Sequence, residues 1–102
     1  MVARVATFAG VNVQEAERTI DQAEAAVRPM VEGLAGYQGH TELIASNGKM
    51  LSITFFDTEE NARAAEPTFD EEMPRQLGEI FRSWEGRRVD RGVYRVMADS
   101  RG

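Results

Sequence analysis

Cysteine is absent from this 102-residue chain, which removes disulfides, thiolate metal sites, iron–sulfur clusters and cysteine nucleophiles together. Histidine occurs once, at His40, so a single chain cannot build a histidine-rich metal centre. Lysine also occurs once, at Lys49, against eleven arginines, a ratio that reads as codon composition more than function. Positive charge is in deficit overall: the net charge of −5 is the wrong sign for a partner made of phosphates, so no nucleic acid is expected. No apolar stretch approaches the roughly 20 residues needed to cross a bilayer. Met1 to Gly10 lacks the apolar run and cleavage site of a signal peptide, so no membrane partner and a cytoplasmic location are expected. No phosphate-cradling glycine loop follows a strand and no serine sits in a nucleophile elbow, which argues against nucleotide-dependent and serine-hydrolase chemistry.

A chain this short buries only about 60–65% of its unfolded surface. With disulfides and thiolate metals unavailable, oligomerisation is the remaining common way to complete its core.

What is present alternates between two periods. Val2 to Ala9 is a mostly apolar strand ended by Gly10. Asn12 with Glu15 three residues on begins a helix, along which Val13, Ala16, Ile20, Ala23, Val27, Met30, Val31 and Leu34 form the apolar stripe. Pro29 is expected to kink it, and Gly33 and Gly36 to stop it. Tyr37 to Ser46 and Met50 to Phe56 read as strands joined by a two-residue Asn47-Gly48 turn, an exposed hairpin tip. Asp57 with Glu60 caps the next helix, which Pro67 interrupts. Thr68 with Glu71 caps another, either kinked at Pro74 or begun there, carrying Met73, Leu77, Phe81 and Trp84. Val89 to Met97 is the last strand.

The expected fold class is therefore α+β: a ferredoxin-like split β-α-β-β-α-β unit, residues 1–97, with a four-stranded antiparallel sheet and a flexible tail at 98–102. Both faces of the first strand are largely apolar, and the Met50/Ser52/Thr54/Phe56 side of the third strand mixes large apolar with polar residues. That side is read as the one turned away from the helices, to be covered by a second copy of the sheet. The chain is expected to pair with itself as a homodimer.

Gly36-Tyr37-Gln38-Gly39-His40, and then Leu43 through Ala62 with its Asn47-Gly48 hairpin, Phe55-Phe56 strand end and acidic-capped, alanine-rich helix, resemble the antibiotic-biosynthesis-monooxygenase type of dimeric α+β barrel. The local likeness covers about a third of the chain, and the element order nearly all of it. The resemblance implies two sheets packed as a barrel. It implies a superfamily that includes cofactor-free quinone-forming monooxygenases, haem-degrading enzymes and proteins of other kinds. Haem-degrading members carry an asparagine on strand one and a helical histidine as iron ligand; here strand one has no asparagine and His40 falls in strand two. No cofactor and no metal are expected.

Three residues stand out as catalytic candidates. His40 shares a strand face with Glu42, and a carboxylate beside an imidazole makes an acid/base pair; alternatively both sit in water at the sheet's mouth. Arg4 breaks an apolar face, to hold a substrate anion or to pair across subunits with Glu42 or Asp90. Tyr94 either points its phenol into a cavity or leaves its hydroxyl in water. The cavity is expected on the sheet face opposite the helices, with Arg4 and His40 facing it. Trp84, Phe81, Leu77 and Met73 read as a core stripe more than an aromatic cofactor box. Asp70, Glu71 and Glu72 splay around a helix and do not converge on a cation. With the arginines at 87, 88, 91 and 95, they read as two patches suited to pairing between subunits. The function implied is cofactor-independent oxygenation of a small planar aromatic in the barrel. The alternatives are a module that binds a small ligand without turnover, and a structural or regulatory homodimer.

Overall fold

The computed structural model describes residues 1–101. Its strands are β1 (Val2–Ala9), β2 (Tyr37–Ile44), β3 (Met50–Phe56) and β4 (Arg87–Arg95). Its helices are α1 (Val13–Val31), α2 (Glu59–Ala64) and α3 (Met73–Trp84), with a π-helical turn at Thr68–Glu72 before α3. The sheet is antiparallel in the order β2-β3-β1-β4, which is the ferredoxin-like arrangement of a split β-α-β-β-α-β chain. None of the described helices is long and apolar enough to cross a membrane.

Local chemistry explains most boundaries. Asn12 caps α1 by accepting from the Glu15 amide, and α1 then runs through Pro29 to Val31. At α2 the cap is Thr58, one residue beyond the acidic residue expected, because the Thr58 hydroxyl reaches the Asn61 amide. Asp57 instead accepts from the Asn61 side chain. The choice at Pro74 resolves to a helix that begins there: a proline in the first turn sacrifices no helical hydrogen bond, and the preceding turn absorbs Pro67 by opening to π geometry.

The hairpin differs from the expected two-residue turn. The Gly48 amide donates to the Ala45 carbonyl and the Ala45 amide to that of Lys49, leaving a three-residue loop in which Gly48 alone has positive φ, +87°. Nor is the tip free. Asn47 is exposed, but Gly48 is buried against the chain after β1, where its carbonyl accepts from the Val11 amide.

Register decides which face is which, and it reverses the expected assignment. Val2, Arg4, Ala6 and Phe8 pair across β1 with Phe56, Thr54, Ser52 and Met50, and these residues pack beneath the helices. Phe56 is completely buried there with Ala62 and Ala65. The other face presents Ala3, Val5, Thr7, Thr41, Leu43, Leu51, Ile53, Phe55 and Tyr94, and none of the described helices packs on it. Leu43 is 48% and Tyr94 53% exposed. The uncovered face is thus more apolar than the one first read as uncovered, which strengthens the reason for a covering sheet.

Candidate functional site

Beneath the helices the packing is incomplete. A cavity of about 380 Å³ lies between the sheet, α1 and the Thr68–Trp84 segment. Its wall is mostly apolar, with Phe8, Ile20, Val27, Phe69, Phe81 and Trp84 contributing. The expected stripe of α3 is therefore partly core and partly lining: Leu77 and Trp84 are buried. The Trp84 indole N–H donates 2.7 Å to Thr19 Oγ1, and that hydroxyl donates in turn to the Glu15 carbonyl.

Strand pairing places the polar groups at opposite ends of this cavity. Arg4, Thr54 and His40 lie abreast on β1, β3 and β2, and Ala6, Ser52 and Glu42 make the next row. Two strand spacings separate Arg4 from His40, about 10 Å at the backbone. The cavity expected opposite the helices lies instead on their side of the sheet. Arg4 and His40 both line it, and Tyr94 faces the other way, outside it.

Arg4 is only 2% exposed and is anchored within its own chain. Its Nε donates 2.9 Å to Glu66 Oε1, its guanidinium stacks 3.9 Å over the Phe69 ring, and Nη2 lies 3.9 Å from Asp70. Arg91 bridges Glu66 at 2.5 Å and Asp70 at 2.7 Å, and Arg88 reaches Asp70 at 2.7 Å. Of the groups read as intersubunit patches, Asp70, Arg88 and Arg91 thus pair within one chain, as does Arg4, whose expected partners were Glu42 or Asp90. Arg4, Arg88 and Arg91 outnumber Glu66 and Asp70 by one charge. Among the described residues nothing accepts from Arg4 Nη1, yet no fully buried polar side-chain atom lacks a partner. Nη1 is therefore not fully buried, on a side chain that lines the cavity.

At the other end His40 is held on both nitrogens, by the Tyr37 hydroxyl at 2.5 Å and by Glu24 of α1 at 2.6 Å. With Glu24 accepting from Nε2–H, Nδ1 is the acceptor for the Tyr37 hydroxyl. Burial raises the Tyr37 phenol above its ordinary range, with Glu32 and Glu24 adding to the shift, which keeps it a donor. A histidine engaged on both sides offers no lone pair to an iron, so these residues do not fit a haem.

The sharpest group is one that the sequence offered only as a partner for His40 or for Arg4. Glu42 lines the cavity, and burial pushes its carboxyl up to about 7, with the Ser52 hydrogen bond and Arg4 opposing and Glu24 reinforcing the shift. Its Oε1 accepts from Ser52 Oγ at 2.9 Å. By the same reasoning as for Arg4, its other oxygen is not fully buried, on a side chain that lines the cavity. The signal was in the alternation: Arg4, Ser52, Thr54, His40 and Glu42 are the polar interruptions of one sheet face, and polar groups beneath helices mark a cavity.

Several solved structures share this architecture. One is a dimeric ferredoxin-like protein from an uncultured marine organism, at 14% identity, TM-score 0.67 and 97% of each chain. A second is SnoaB, a cofactor-independent oxygenase from Streptomyces nogalater, at 14% identity and TM-score 0.63, covering 99% of this chain and 97% of that one. A third is MhuD, a haem-degrader from Mycobacterium tuberculosis, at 15% identity and TM-score 0.57, covering 97% and 98%. No family model and no curated protein matches the chain. The likeness establishes the fold, which is the one implied by the resemblance to antibiotic-biosynthesis monooxygenases.

Proposed function

We propose that the chain is the protomer of a homodimer that oxygenates a small planar aromatic, without a cofactor, in the cavity between its helices and its sheet. The observation that carries the reading is the composition of that cavity: about 380 Å³, chiefly apolar, with Arg4 at one end and an ionisable carboxyl at the other. The fold it shares with a cofactor-independent oxygenase and with a dimeric ferredoxin-like protein supports the reading. The homodimer follows from the apolar outer sheet face, on which a second copy would lie sheet to sheet.

The chemistry asks little of the protein beyond binding, orientation and proton transfer. An activated ring methylene loses a proton, and the resulting electron-rich anion reacts with dioxygen. One oxygen atom becomes the new ring carbonyl and the other leaves as water with the two methylene hydrogens. The carbon gives up four electrons and dioxygen takes four. Arg4 Nη1 would hold the substrate's anionic oxygen, and the apolar walls would exclude water from the carbanion.

Oxygen consumption with anthrone and hydroxynaphthalenes tests this. Protein-dependent uptake, one dioxygen per quinone formed, is the expected result; uptake no faster than without protein would refute it. Sedimentation at micromolar concentration should give twice the chain mass, and a single-chain mass would refute the dimer.

A further inference from the structure

The cavity and a second cleft share one wall. The outer cleft, about 340 Å³, is lined by Arg28, Glu32 and Tyr37, and both spaces are bounded by Ile20, Glu24, His40 and Glu42. The acid/base groups therefore form the partition between a mostly apolar chamber and a more polar, more open one.

We propose that Glu42 is the catalytic base of the cavity and that the proton it takes leaves through Glu24, the carboxylate held in place by His40. The inference rests on the oxygenase reading of the same cavity. Glu42 lines the chamber, and Ser52 fixes one of its oxygens at 2.9 Å, leaving the other without a partner in the chain and not fully buried. Glu24 is the nearer of two carboxylates to the outside. It projects from α1 over the β2 edge, is about a quarter exposed, and has one oxygen occupied by His40. Its negative charge reinforces the shift of Glu42, so the two carboxyls sense each other across the partition. The step balances simply: the methylene C–H breaks, its electron pair stays on the ring, and the proton forms an O–H on Glu42. That proton then passes to Glu24 and to water. The tether of His40 to Tyr37 and Glu24 keeps the second carboxylate against the wall.

The charged and titratable groups lining the two spaces that Glu42 bounds are Glu24 and Arg28 from α1, Glu32 after it, Tyr37 and His40 on β2, Arg4 from β1, Asp70 from the π-helical turn and Arg88 from β4, with Ser52 as the donor to Glu42 on β3. Ser52 holds the carboxyl down, so its removal raises the pH at which the base becomes active.

The test isolates proton abstraction from oxygen chemistry: anthrone in deuterated buffer without oxygen, with methylene deuteration read by mass spectrometry. The protein is expected to accelerate exchange. Glu42→Gln should lose the acceleration by about 10²–10⁴-fold while still binding anthrone in a calorimeter. In Ser52→Ala the acidic limb of the rate should move to higher pH. Glu24→Gln should abstract the hydrogen but return it, lowering washout several-fold with binding unchanged. Acceleration that survives Glu42→Gln overturns the base, even with oxygen uptake intact, as does wild-type protein that gives none. An acidic limb unmoved in Ser52→Ala also counts against it, and wild-type washout in Glu24→Gln overturns the exit. Glu42-dependent exchange without oxygen uptake would sustain the base and refute the oxygenase reading instead.

Discussion

Replacing Glu66 should cost far more than replacing the arginine it holds. Arg4 is 2% exposed, and its strongest partner is Glu66 at 2.9 Å. In Glu66→Leu the guanidinium keeps only the Phe69 ring and Asp70 at 3.9 Å, a carboxylate already engaged by Arg88 and Arg91. A buried charge stripped of its partner typically costs about 3–5 kcal/mol, and the remaining contacts place this case near 3. For a domain of this size that lowers the melting temperature by about 12–24 °C. Arg4→Met removes the buried charge itself and refills its volume. Glu66, 23% exposed, then retains Arg91 at 2.5 Å. That change should cost about 1 kcal/mol or less. The double variant should accordingly be more stable than Glu66→Leu alone by about 2 kcal/mol, and so fall short of additivity by about 3 kcal/mol, a coupling set by the buried guanidinium. Urea titrations at one fixed protein concentration measure all four corners, a fixed concentration being needed because association would shift each midpoint. Glu66→Leu costing no more than Arg4→Met, or additive costs in the double variant, would refute the assignment of Arg4 as a buried, carboxylate-dependent charge.

Glu42 makes stability fall with rising pH. Its carboxyl stands near 7 folded against 4.5 as an ordinary carboxyl, so between those values the folded state holds a proton that the unfolded state has lost. The contribution, up to about 3 kcal/mol, is complete at low pH and disappears as pH rises through that window; Glu42→Gln should flatten melts compared at about pH 5 and about pH 8. A wild-type protein more stable at the higher pH, by a margin unchanged in Glu42→Gln, would contradict this. Trp84→Phe removes the indole donor to Thr19, whose hydroxyl keeps its bond to Glu15, and should cost about 1–2 kcal/mol in urea unfolding. Gly48→Ala would set a Cβ 2.8 Å from the Val11 carbonyl at a φ of +87° and should cost about 1–3 kcal/mol, although the neighbouring tip residues are exposed.

Element order was legible because each element carries its own period and its own stop: the alternation of β3, the stripe of α1, the cap at Asn12. What the residues could not declare was which side of the sheet the helices would take. Leu51, Ile53 and Phe55 look like a core face, and Met50, Ser52, Thr54 and Phe56 like a compromise. The reverse holds because the mixed face lines a cavity and the uniformly apolar face lacks a helix. Binary patterning ranks faces by hydrophobicity, and it misleads where an internal chamber needs polar groups and an outer surface awaits a second copy. Arg4 and His40 line a cavity, though on the helix side of the sheet and not the side expected, while Tyr94, on the next strand over, follows the opposite alternation and faces out. Glu24 and Glu66 are brought to these residues by α1 and the turn after α2, contacts across the fold that no spacing along the chain announces, while Tyr37 reaches His40 from three residues away across the register shift in β2. Glu42's shift is a matter of burial, which sequence position alone does not give.

The most direct test of the central claim follows the oxygen atoms. The protein is incubated with anthrone under ¹⁸O-labelled dioxygen in unlabelled water, and the quinone is weighed by mass spectrometry. The proposed chemistry predicts one heavy oxygen in the new carbonyl, formed faster with protein than without and lost with Glu42→Gln. Quinone formed no faster with the protein than in its absence, or a carbonyl whose oxygen comes from water, would contradict it.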